Sequence, residues 1–218
     1  MDTFKFYFSL FIIYSFVGWI MEVVWNVYTD KKLVNRGFLI GPYCPIYGVG
    51  CLLLILLLGS FKDQPVLLFF MSIIVCSILE YSTSYIMEKL FKARWWDYSE
   101  YKLNLNGRIC AATMIPFGIL GVLVVYFANP FISNFVPFND ILFYIILVIF
   151  VLDFGVSFGV IENMKGTITT ITKDSTEEIT KMVKEKILGK SFLHKRLLRA
   201  FPYIMSPIDK LKKKIVNK

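Results

Sequence analysis

The chain has 218 residues, of which 56% are hydrophobic and 17% aromatic, above the roughly 45–50% apolar share of an ordinary soluble domain. The excess of 24 Lys and Arg over 16 Asp and Glu gathers after the last apolar run, so it is a topology signal and excludes a nucleic-acid-binding role. Cys44, Cys51, Cys76 and Cys110 fall in or beside apolar segments and the single His194 lies far away, so the thiols are expected as buried apolar groups and no metal site is expected.

In chain order, apolar runs at residues 4–28, 44–61, 66–89, 109–128 and 141–161 are long enough, at about 17–25 residues, to cross a hydrocarbon core as helices. The fold expected is all-α: a polytopic transmembrane bundle of about five spans over residues 1–162, followed by a basic cytoplasmic helical tail at 163–218. The first run lacks a basic leader and a small-residue cleavage pattern and carries Glu22 near its end, so it is expected to remain as a helix. With the amino terminus outside, 22 Lys and Arg fall on the inner side and only Lys5 and Lys62 on the outer. That bias places the carboxyl terminus inside.

The two outer connections, 59–65 and 129–140, are short turns. The inner ones are richer in charge, glycine and aromatic residues, which puts docking or solute handling on that side. In the first inner connection Gly37, Gly41, Pro42, Pro45, Gly48 and Gly50 interrupt the helix pattern. Two outcomes fit: a broken segment lining a cavity, or a tight turn with proline at the helix start. In the second, Trp95, Trp96 and Tyr98 suit an interfacial aromatic belt, and Asp97 is placed to pair with Arg94 or Arg108 at the mouth of a cavity.

Ionisable groups inside spans cost several kcal/mol at the bilayer centre, roughly 2.5–3.5 on insertion scales. Glu22 shares a helical face with Ser15, Gly18 and Asn26; Glu80, Ser84 and Glu88 form a second stripe, and Asp153 precedes Ser157 by one turn. These stripes should face the bundle interior, with Arg36 and Arg108 as the leading partners. They serve as buried packing pairs, as a substrate or ion site, or as acid–base groups.

A weak repeat relates residues 8–60 to 74–128, with ten residues from Asn35 to Pro45 and from Asn106 to Pro116. Parallel repeats often frame a site at their mutual interface. In the tail, Ser175-Thr176-Glu177-Glu178 has capping-box form, and Ile179, Met182, Val183 and Ile187 follow at helical spacing. Phe192, Leu193, Leu197, Leu198 and Phe201 among Lys195, Arg196 and Arg199 suit anionic headgroups or a soluble partner, and a purely orienting stop-transfer role is the plainer reading.

Gly18-Trp19-Ile20-Met21-Glu22, the run from Asn35 to Pro42, Pro45-Ile46-Tyr47-Gly48, Glu80-Tyr81, Met87-Glu88, Trp95-Trp96-Asp97-Tyr98-Ser99 and Asn104-Leu105-Asn106-Gly107-Arg108 resemble the bacterial membrane family labelled putative ABC-transporter type IV, or CmpB-like, over about residues 8–165. The resemblance implies a multi-pass, permease-like protein of the cytoplasmic membrane. No P-loop is present, so an ATPase would be a separate chain.

The function expected is a transport subunit whose substrate-binding or gating residues are Glu22, Arg36, Glu80, Glu88, Trp95, Trp96, Asp97, Asn106 and Arg108. Gly37, Gly41, Pro42, Pro45 and Gly48 would line the cavity where the helix breaks. The expected partners are the lipid bilayer, an ATPase subunit and a homodimer mate or second membrane subunit, with no nucleic acid. No cofactor and no catalytic residue are assigned. The alternatives are an interfacial enzyme on a lipid-linked substrate, with Arg36 and Arg108 holding phosphate, or a scaffold that recruits a partner through its tail.

Overall fold

The computed structural model describes residues 3–31, 35, 37–91, 94–173, 192–193 and 196–197. Arg36 and the capping-box helix expected after Ser175 lie outside the described residues. The protein is a helical membrane bundle built from α1 (Thr3–Asp30), α2 (Pro45–Leu58), α3 (Pro65–Phe91), α4 (Ala111–Leu123), α5 (Asn129–Ile132) and α6 (Asp140–Lys173). Four stretches, Thr3–Thr29, Pro65–Phe91, Ala111–Phe135 and Asp140–Asn163, are long and apolar enough to cross a membrane, and the helical stretch Pro45–Phe61 is shorter.

Local chemistry sets the ends. Lys31 closes α1 in the left-handed region, at φ 52°. Pro45 and Pro65 each open a helix, where a missing amide costs nothing. The turn with proline at the helix start is therefore the observed outcome for Pro45. Pro116 sits inside α4, and a π-helical segment, Val124–Ala128, carries α4 into α5. α6 continues past residue 162, the boundary drawn from composition, because nothing in 163–173 stops a helix already propagating.

The second inner connection folds as a small hairpin, β1 (Asn104–Leu105) pairing antiparallel with β2 (Ile109–Cys110). Its turn is Asn106-Gly107, both at positive φ, closed by Arg108 N–H donating to the Leu105 carbonyl at 3.0 Å. Asn-Gly meets the backbone requirement of this tight turn.

The most extensive helix packing joins α1 to α2 and α3 to α4. Small residues let the backbones approach: a Cβ on Gly48 would overlap Ser15 and Phe11, and one on Gly121 would overlap Ser72. One end of the bundle closes on Leu10, Tyr14, Leu54, Leu58, Leu68, Val124 and Val125. Toward the other end, β2 of the hairpin packs against α3 and α4.

Candidate functional site

Inside the bundle, two tyrosine–carboxylate bonds form, one between α2 and α1 and one between α3 and the segment that follows it. Tyr47, in the first turn of α2, donates its hydroxyl to Glu22 Oε1 on α1 at 2.7 Å. Tyr98, in the segment leaving α3, donates to Glu80 Oε1 at 3.1 Å. The two pairs stand within electrostatic reach of one another, Glu22 acting on Glu80 and Tyr98, and Tyr98 acting on Tyr47. Glu80 is only 8% exposed, and its Oε2 accepts no hydrogen bond within normal geometry from the described residues. The Thr113 hydroxyl approaches this carboxyl but donates to the Cys110 carbonyl at 2.9 Å. Burial, then the Glu80 carboxylate, pushes the Tyr98 phenol above its ordinary range, so it remains a proton donor.

Toward the bundle end lies a charged layer. Glu88 Oε2 accepts from Arg108 at 2.8 Å and from Arg94 at 3.2 Å, and Arg94 also reaches Asp97 Oδ1 at 3.2 Å. Arg108 donates to Ser84 Oγ at 3.2 Å and lies over the rings of Tyr81 and Tyr85. Asp97 Oδ1 takes the Ser99 amide at 3.0 Å, and Asn106 donates to the Tyr81 hydroxyl at 2.9 Å. Gly107 packs so closely that a Cβ there would overlap Ser99 and Asp97.

The third group is the loop at 37–44. Asp153 of α6 accepts the amides of Ile40 (2.9 Å) and Gly41 (2.7 Å), the Tyr43 hydroxyl (2.8 Å) and the Ser157 hydroxyl (2.9 Å). Asn35 takes the Gly37 amide at 2.9 Å and the Trp19 indole N–H at 2.8 Å. Burial pushes the Tyr43 phenol up, and its bond to Asp153 adds to the shift.

Of the expected stripes, Ser15, Asn26, Glu80, Ser84 and Ser157 are buried, while Glu22, Glu88 and Asp153 are half-buried. The expected Asp97–Arg94 and Glu88–Arg108 pairs are present. Two expectations need correction. Glu80 is partnered by Tyr98 and not by Arg108, because Arg108 is already committed one and two turns away, to Ser84 and Glu88. Trp95 is no belt residue: at 3% exposure it packs on Phe38 and Phe91. Trp96 is half-buried and donates its indole N–H to the Arg108 carbonyl at 3.0 Å.

Gly37, Gly41 and Pro42 lie in the loop held by Asp153, Pro45 begins α2, and Gly48 sits against α1. Spacing gives no site role to Tyr43, Tyr47 or Thr113, and it marks Tyr98 only as a belt residue. A signal exists for two of them, since Tyr47 and Tyr98 both belong to motifs carrying the family resemblance.

A family model described as Putative ABC-transporter type IV matches residues 9–158. The chain belongs to this family. The matched region takes in both tyrosine–carboxylate pairs, the charged layer and Asp153, and ends before the basic tail. No curated protein and no solved structure matches the chain. This type IV family member is a multi-pass helical membrane protein.

Proposed function

We propose that the chain is the membrane-embedded, permease-like subunit of an ATP-driven transporter, and that the Tyr47–Glu22 and Tyr98–Glu80 pairs form its solute-handling centre. The observation that carries this reading is the convergence of two bonds in the bundle interior, one between α2 and α1 and one between the segment leaving α3 and α3 itself. Buried carboxylates are costly and packing alone does not require them, so their place in a transport protein is a polar path.

Chemically, each phenol is a neutral donor that a solute with its own donors or positive charge can replace. Moving α1–α2 relative to α3–α4 would then exchange internal bonds for solute contacts. Glu88, Arg94, Asp97 and Arg108 serve as the gate on the charged side, with Asn106 and Trp96 holding the hairpin against α3 and its own turn. The Lys and Arg distribution supports an outside amino terminus and a cytoplasmic carboxyl terminus in the cell membrane.

With no P-loop in the sequence, ATP hydrolysis falls to a separate subunit, and the small number of spans favours a homodimer or a second membrane chain. Gentle solubilisation from native membranes tests the proposal: the tagged chain should bring down an ATPase in fixed stoichiometry with measurable ATP hydrolysis. Purification of the chain alone, without hydrolysis, would refute it.

A further inference from the structure

The loop at 37–44 is held by two opposite charges that arrive from distant parts of the chain. On one side Asp153 takes the amides of Ile40 and Gly41 and the Tyr43 hydroxyl. On the other, Arg196 of the carboxy-terminal segment donates to the carbonyls of Leu39 (2.7 Å), Phe38 (3.3 Å) and Gly37 (3.4 Å). Five consecutive residues thus have peptide groups of both polarities closed by side chains 112 to 159 residues away. Leu197 beside the arginine is 2% exposed and Leu39 is fully buried, so this contact is packed as well as charged.

We propose that Arg196 is a latch by which the carboxy-terminal segment sets the position of the 37–44 loop and, through it, of Tyr47 over Glu22. The mechanical connection is short. Cys44 ends the loop with its amide on the Ser15 carbonyl at 2.9 Å, Pro45 starts α2, and Tyr47 follows in the first turn. The Phe38 side chain extends the same unit into an aromatic layer with Phe91, Trp95 and Phe154.

The latch is built to release. The guanidinium is half-buried and its Nε has no acceptor among the described residues, so part of its desolvation is uncompensated. Its counter-charge, Asp153, acts at one remove, across the loop. When Arg196 leaves, three carbonyls lose their donor while the Asp153 side stays in place, which makes the loop a two-position element biased by the tail. This assigns the basic segment a role beyond fixing orientation, and it does not depend on any transport activity.

Hydrogen exchange of the full chain in lipid nanodiscs, read on the peptide spanning 37–44, tests it. Arg196→Gln should speed exchange of the Ile40 and Gly41 amides about tenfold, the size expected for losing charge-assisted bonds to a local opening unit. Those amides are bonded to Asp153 and not to Arg196, so their response reports the loop as a unit. Arg196→Lys should fall in between, because an ammonium cannot fork across three carbonyls. Truncation after Lys190 should match Arg196→Gln, and it keeps the proposal testable if the single variant misfolds. Exchange within residues 72–84 of α3 should stay unchanged throughout. Wild-type exchange of the loop in either Arg196→Gln or the truncated chain overturns the latch.

Discussion

Tyr98 donates its hydroxyl to Glu80 across 18 residues of chain, at 3.1 Å, and so ties the segment leaving α3 back onto the middle of that helix. Glu80 is 8% exposed and its second oxygen has no acceptor role filled by the described residues. Tyr98→Phe therefore strips a buried carboxyl group of the hydrogen bond that its Oε1 accepts from the phenol. The expected loss is about 1–3 kcal/mol, seen as a lowered Tm in detergent with helix content retained. Glu80→Gln keeps an acceptor for the phenol and should cost less.

Stability should fall at alkaline pH, with tyrosine as the cause. Burial holds the phenols of Tyr98 and Tyr43 above their ordinary range in the folded protein. In the unfolded chain each loses its proton near pH 10. A group with a raised folded pKa gives stability that is complete below the unfolded value and is lost as pH rises toward the folded one. Unfolding free energy should therefore decline above about pH 10, and less steeply in a Tyr43→Phe, Tyr98→Phe double variant. Chemical denaturation across pH 8–11 checks this.

Glu88 is an acceptor shared by Arg94 and Arg108, whose side chains are 16% and 11% exposed. Glu88→Gln leaves two nearly buried cations with Asp97 as the remaining carboxylate on Arg94. Because Glu88 is itself 33% exposed, the expected cost is about 2 kcal/mol, below the 3–5 kcal/mol of a fully buried broken pair. A double-mutant cycle with Arg108→Gln should return a coupling of about 1 kcal/mol.

Glycines separate packing from tolerance. A Cβ on Gly121 would overlap Ser72, which is fully buried with its hydroxyl on the Leu68 carbonyl at 2.7 Å. Gly155 and Gly159 of α6 have open space at the same position. Gly121→Ala should destabilise the bundle by about 1–3 kcal/mol, whereas Gly155→Ala should be neutral or slightly stabilising. Thermal unfolding of the two variants in one detergent compares them directly.

The helices were legible because a span needs a long apolar run and each run is bounded by proline, glycine or charge. The inward stripes were legible for a similar reason: Glu80, Ser84 and Glu88 lie four apart, and that spacing fixes a shared face before any partner is known. Partner choice was not. Oppositely charged arginines are the obvious company for Glu80, yet a tyrosine from a non-helical segment reaches it first, and where that segment folds is decided by tertiary contacts.

The hairpin at 104–110 carried a clear local signal in Asn106-Gly107. It is hidden by the neighbouring charge, which suggests a solvated loop. Asp153 illustrates a different limit. Its position inside an apolar helix marks it as a group in need of partners, but a carboxylate that caps backbone amides of a remote loop has no counterpart in sequence spacing.

In the proposed reading, the paired tyrosine–glutamate centre serves transport driven by a separate ATPase. The most direct measurement is ATP hydrolysis by the complex purified from native membranes, comparing wild type with Glu80→Gln and with Glu88→Gln, each at equal ATPase content. Glu80→Gln should assemble the complex normally and lower hydrolysis about tenfold or more, in keeping with loss of a buried carboxyl group that functions in the working cycle. An assembled Glu80→Gln complex that hydrolyses ATP at the wild-type rate would contradict it.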